Sequence, residues 1–263
     1  MKKLKNIISW VLVLVYLVVA LSFISAKRKE VACEKVKVHI YDGTKNLFIE
    51  EKDVLNMLKR NKINVIGQII EDVNVNRLEE IIKHHPSVKE ADVYRSLTGE
   101  IKVGIQQRKP ILRVFNNHGE SFYIDDEGTA MPLSTKYSAH ILVASGNISF
   151  TYSRLIAQKR EQRGGKVVEN SIPQLRDLYQ LASYIYNDEF WNAQIEQIYV
   201  NSRDIELIPR VGTHVIKLGT MEDYTKKFRN LKALYEQGLP VVGWNNYKTI
   251  NLKYSNQVIC TKR

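Results

Sequence analysis

The sequence predicts an α+β protein: a single apolar helix at the N-terminus, a small unit of order strand-helix-helix-strand-strand, and a larger mixed, β-rich unit with flanking helices. Three observations carry this reading. An uncharged run of 20 residues, Ile7 to Ala26, stands alone in the chain. Residues 35–107 change hydrophobic period from two to helical and back to two. Beyond residue 108, short alternating runs are interrupted by amphipathic helical stretches.

Composition fits that picture. The 263 residues are 44% hydrophobic and 25% charged, which is globular usage, with length for one large or two small domains. Two cysteines, Cys33 and Cys260, exclude a disulfide scaffold. The formal net charge is +11, but Lys2, Lys3, Lys5, Lys27, Arg28 and Lys29 carry +6 of it around the apolar run. The remaining +5 is too dilute for a nucleic-acid footprint, so no nucleic-acid partner is expected.

At about 1.5 Å per residue, residues 7–26 match a hydrocarbon core of roughly 30 Å. A cleavable leader would carry a shorter apolar core of about 7–15 residues. The segment therefore reads as a retained transmembrane helix. Residues 1–6 are assigned to the cytoplasm, and the bulk of the chain to the far side, because long domains cross largely regardless of flanking charge. Lys27 to Glu30 separate Val31-Ala32-Cys33 from the apolar run, so a lipid anchor at Cys33 is not expected.

Val36, Val38 and Ile40 alternate with Lys35, Lys37 and His39 as in a half-buried strand, and Asp42-Gly43 supplies its turn. Glu50 to Arg60 places Val54, Leu58 and Leu55 on one helical face, with acids in the first turn and bases in the last. A second helix carries Val75, Leu78, Ile81 and Ile82, with Asn76 and Glu79 as a capping box and Pro86 as its stop. His84 and His85 diverge by about 100° at its end and do not make a metal site. VKEADVYR and EIKVGIQQ then form a hairpin around Leu97-Thr98-Gly99. Both helices are expected on one face of a three-stranded sheet with an open edge.

Phe122 and Ile124 lead into the acidic turn Asp125-Asp126-Glu127-Gly128, which lacks the spacing of a calcium loop. Gly146 to Ser171 reads as a flexible polar connection in which Arg154, Lys159, Arg160, Arg163 and Lys166 face only Glu161, and Gly164-Gly165-Lys166 fails as a phosphate loop. Ser171 and Pro173 open a helix with a stripe of Leu175, Leu178, Leu181, Ala182 and Ile185. Strands are expected around Glu196 to Val200, Arg203 to Ile208 and His214 to Leu218. Glu222 to Gln237 reads as a last helix stopped by Gly238, with Lys226, Lys227, Arg229 and Lys232 outward. A final strand runs from Asn251 to Cys260.

His85-Pro86-Ser87-Val88 to Val93, then Gln107-Arg108-Lys109-Pro110-Ile111, Tyr123 to Gly128, Leu142 to Gly146 and Ile250 to Val258 follow one another in an order that resembles the FtsQ/DivIB cell-division proteins. The resemblance implies a POTRA domain over 35–107 and an FtsQ-type β domain over 108–263. It further implies a non-enzymatic scaffold of the divisome, in the inner membrane at the division septum with its bulk in the periplasm. That scaffold would bind FtsB-like and FtsL-like proteins, with other division proteins reached through the POTRA domain, and would help recruit and regulate septal peptidoglycan synthesis. Lys253, Tyr254, Asn256 and Val258 match the terminal partner-binding segment, and Arg229 and Lys232 join them by helix register. Catalytic, cofactor and metal residues are not expected. The rival reading, a POTRA-containing outer-membrane assembly or secretion protein, calls for a train of barrel strands of about ten residues each.

Overall fold

In a computed structural model, the structure describes residues 10–19, 31–41, 48–161, 172–254 and 257–263. Residues 10–19, the described part of the predicted anchor, are helical with exposed apolar side chains from Trp10 to Val19. Residues 1–9 and 20–30 lie outside the described residues, and among those described no helix is long and apolar enough to cross a membrane. Contacts divide the chain into two compact units, Met1–Gln107 and Arg108–Arg263.

In the first unit β1 (Lys35–Ile40) and β2 (Val88–Arg95) flank β3 (Glu100–Gln107), with β1 parallel and β2 antiparallel to it. The parallel pair is closed across the sheet by Lys35 and Lys37, whose ammonium groups lie 2.9 and 3.1 Å from the Glu100 carboxylate. Helix α1 (Glu51–Arg60) begins with a capping box in which the Glu50 amide donates to Asp53, and its charge order suits the helix dipole. Val54 and Leu58 of α1, Leu78 and Ile82 of α2 (Val75–Lys83), and Ile101, Val103 and Ile105 of β3 share one core with Cys33. The expected Asp42-Gly43 turn lies outside the described residues.

One cap differs from expectation. Helix α2 is capped by Asn74, whose side chain accepts from the Arg77 amide, and not by Asn76. Glu79 is spent elsewhere: its carboxylate accepts from the Val93 amide, tying the helix to β2, and pairs with Lys83. His84 and His85 serve the helix end, His84 Nδ1 against the Glu80 carbonyl and His85 Nδ1 accepting from the Ser87 amide.

The second unit is built on a nine-stranded mixed sheet of order β12-β11-β10-β9-β8-β7-β4-β5-β6. Its strands are β4 (Pro110–Phe115), β5 (Ser121–Asp125), β6 (Ala130–Met131), β7 (Leu142–Gly146), β8 (Ile195–Asn201), β9 (Asp204–Pro209), β10 (Val215–Gly219), β11 (Tyr247–Asn251) and β12 (Ile259–Lys262). Helices α3 (Tyr152–Glu161), α4 (Pro173–Asn187), α5 (Glu189–Gln194), α6 (Tyr224–Ala233) and α7 (Leu239–Val242) complete it. The α4 stripe of Leu175, Leu178, Leu181, Ala182 and Ile185 is buried with Ile198, Leu207, Ile216 and Ile250 of the sheet.

The acidic turn after β5 is structural. Asp125 is fully buried, its carboxylate 2.8 Å from Arg108 and accepting from the Glu127 and Thr129 amides.

Four expectations for this unit are corrected. The segment after Gly146 is not a continuous polar connection, because α3 forms within it and buries Leu155. Arg163, Gly164-Gly165 and Lys166 lie outside the described residues. Helix α4 has Ile172 at its N-cap with no side-chain cap, Pro173 taking the first turn as expected; Ser171 is outside the described residues. The last helix runs from Tyr224 and does not stop at Gly238. A π turn, Leu234–Gly238, carries it into α7, and Gly243, in the left-handed region at φ +94°, ends it. The wider turn keeps both Tyr235 and Leu239 buried. Finally, the expected strand Asn251 to Cys260 is two strands: β11 pairs parallel to β10, and β12 returns antiparallel along β11 with Ile250 opposite Cys260. The polar run from Lys253 to Gln257 lacks the apolar alternation that would hold it in the sheet.

Candidate partner-binding surface

Strand β12 ends the sheet order, so one of its edges is paired with β11 and, among the described residues, the other is unpaired. Its residues Ile259, Thr261 and Lys262 are exposed, while Cys260 is half-buried against the core. An open edge presents unpaired backbone donors and acceptors at strand spacing, which is what an incoming strand needs.

The chain reaches that edge through residues 252–258. Leu252 is buried and its amide donates to the Lys217 carbonyl, fixing the departure from β11. Gly219 holds φ +77° against the Lys253 stem; a Cβ there would stand 2.9 Å from Lys253 Cγ. Lys253 Nζ meets the Asp204 carboxylate at 2.5 Å, and that pairing raises its pKa. Tyr254 is 57% exposed beside it. Both line a polar cleft of about 130 Å³ with Lys226, Lys227, Glu222 and Asp223.

Of the residues predicted from sequence, the structure brings Lys253 and Tyr254 together at this cleft. Arg229 is exposed on α6 but does not line it. Lys232 is half-buried with its ammonium 5.2 Å from the centre of the Phe190 ring. Val258 packs against the core, and Asn256 lies outside the described residues. The expectation that Lys227 looks outward is corrected: its ammonium donates to the Leu218 and Thr220 carbonyls at 3.0 and 2.9 Å, and desolvation lowers its pKa. Sequence reasoning missed Asp204 and Lys226. No local pattern points to Asp204, which is 49 positions from its partner.

Behind the surface sits an aromatic cluster. Trp191 contacts Phe190, Phe228 and Tyr235 with ring centres 4.8, 5.0 and 5.7 Å apart, and Trp244 packs on Tyr235 at 5.3 Å. Burial raises the Tyr235 hydroxyl above the ordinary phenol range, and it shares a hydrogen bond of 2.7 Å with His214 Nε2. His214 precedes β10 as a buried core residue, and desolvation holds its ring below the ordinary imidazole value of 6.5. A depressed histidine contributes stability that is present above the unfolded value and lost as pH falls through the folded one. The melting temperature is therefore expected to fall between pH 7 and pH 5, and His214→Gln to flatten part of that fall.

The profile of the family described as FtsQ/DivIB, C-terminal related, matches residues 109–261. The chain belongs to the FtsQ/DivIB family. A POTRA-like domain profile matches residues 31–106, the first unit, and no curated protein sequence matches the chain. In the FtsQ/DivIB family both domain types are non-catalytic, and their pairing here gives the chain the role of a cell-division scaffold that interacts with other division proteins.

Proposed function

We propose that this FtsQ/DivIB protein is a bitopic scaffold of the bacterial divisome. Residues 7–26 cross the inner membrane with residues 1–6 in the cytoplasm, and the POTRA-like and β-rich units work in the periplasm at the septum. The β-rich unit binds FtsB- and FtsL-type partners, the POTRA-like unit binds other division proteins, and the assembly recruits and regulates septal peptidoglycan synthesis. The observation that carries this reading is the outer edge of β12, unpaired among the described residues, with the exposed Tyr254 in the segment that leads into that strand. A partner strand added to β12 obtains affinity from the backbone, Tyr254 supplies an aromatic anchor, and Lys253 with Arg229 offers charge to partner carboxylates.

The test is a titration of the fragment 27–263 with the host's FtsB/FtsL-type complex. Tyr254→Ala is expected to weaken binding by roughly tenfold or more, the cost of about 1.4–2 kcal/mol typical of an aromatic anchor. Lys253→Ala should weaken it less, because Lys253 already shares its charge with Asp204. Unchanged affinity in a folded Tyr254→Ala, Lys253→Ala double variant would remove this surface from the interface.

A further inference from the structure

We propose that one tip of the POTRA-like unit, the loop 66–70 together with the β2–β3 turn at Leu97, inserts its apolar side chains into the lipid interface of the membrane. The inference rests on residues 7–26 being the anchor and goes beyond it by naming a second membrane contact.

Residues 31–34 are clamped on both sides. On one, the Ile70 amide donates to the Val31 carbonyl, Cys33 exchanges backbone hydrogen bonds with Gly67 and Gln68, and Ala32 bridges to Ile69. On the other, the Glu34 amide donates to the Gly99 carbonyl, and Gly99 at φ +78° lies so close that a Cβ would stand 2.9 Å from the Ala32 carbonyl. Loop and turn therefore flank the point from which the chain leaves toward the anchor.

That end of the unit is where Leu97, Ile66 and Ile69 are 77%, 57% and 42% exposed. Leu97 also shares a cleft with Val31, Ile70 and Arg95. Single exposed leucines are ordinary; here three large aliphatic side chains surround one chain exit.

Chain length bounds the distance from that exit to the anchor. Ala26 and Val31 are five residues apart, which reaches at most about 18 Å when fully extended. The polar layer on each face of a bilayer is about 5–7 Å thick. Every anchored copy thus holds this tip within reach of lipid, whether or not a protein partner is present. Glu34, Glu71 and Asp72 are exposed at the same end, so anionic headgroups do not drive the contact. It is apolar, with Lys27, Arg28 and Lys29 left to meet lipid phosphates along the tether.

The full chain, reconstituted in phosphatidylcholine vesicles with Cys33→Ala and Cys260→Ser as background, is spin-labelled singly at Leu97→Cys, Ile69→Cys, Tyr41→Cys or Val15→Cys. Collision with oxygen against a water-soluble nickel chelate reads depth. The expected result is an oxygen-to-nickel ratio at positions 97 and 69 several-fold above that at Tyr41→Cys, which lies at the other end of β1, with Val15→Cys higher still. Labels at 97 and 69 that match position 41 while position 15 is deep would overturn the tip contact and leave the anchor standing. A water-exposed label at position 15 would overturn both.

Discussion

Trp191→Ala is expected to destabilise the β-rich unit by about 3–5 kcal/mol, the usual cost of removing a buried aromatic side chain whose cavity cannot collapse. Its ring is 1% exposed and meets three other aromatic rings edge-on, from α5, α6 and the π turn. None of those elements can close the void alone, since each is fixed elsewhere: Phe228 against Tyr184, Tyr235 against His214 and Trp244. Urea denaturation followed by far-UV circular dichroism is the measurement. The POTRA-like unit has its own core around Ile101, Val103 and Ile105, so its transition should stay in place while that of the β-rich unit moves to lower urea. A loss below about 1 kcal/mol would mean that the cluster repacks freely.

The second large effect concerns the edge. Thr261→Pro is expected to lower affinity for the FtsB/FtsL-type complex by roughly a hundredfold or more, about 2.7 kcal/mol, while Thr261→Ala binds as the parent does. Thr261 is exposed, so its side chain has little packing to lose. Proline removes a backbone donor and puts a ring on the strand, which an added strand cannot pass in register. The alanine variant separates backbone from side-chain recognition. Equal losses in both variants would point to a side-chain contact and against strand addition.

How much of this was legible in the sequence varies by element. The POTRA-like unit was readable because each part carries a local signal: alternation in β1 and β3, opposed charges at the ends of α1, and glycine at the β2–β3 turn. Even there the Asn76–Glu79 capping box does not form, because Glu79 answers a β2 amide 14 positions away and Asn74 caps the helix. In the β-rich unit, α3 was hidden by its basic residues, since only Leu155 among its described side chains is fully buried. The split of the last strand was hidden differently. Ile250, Leu252, Val258 and Cys260 keep the parity of one strand, and the residues between Leu252 and Val258 include neither glycine nor proline.

The candidate surface shows the same division. Tyr254 and Lys253 are named through the resemblance of the Ile250 to Val258 segment to the FtsQ/DivIB proteins. Their setting is not, because Asp204, Lys226 and the fold of Lys227 back onto two carbonyls depend on contacts between distant elements. The helix register that suggests Lys232 does not show that Phe190, from another helix, lies under its ammonium group.

Amide hydrogen exchange of the full chain, with and without a saturating FtsB/FtsL-type complex, distinguishes strand addition at β12 from other modes of binding. Strand addition predicts that the β12 amides, Ile259 to Lys262, slow markedly on complex formation, with a smaller change at β11. Binding that leaves the β12 amides exchanging as in the free protein would contradict the account.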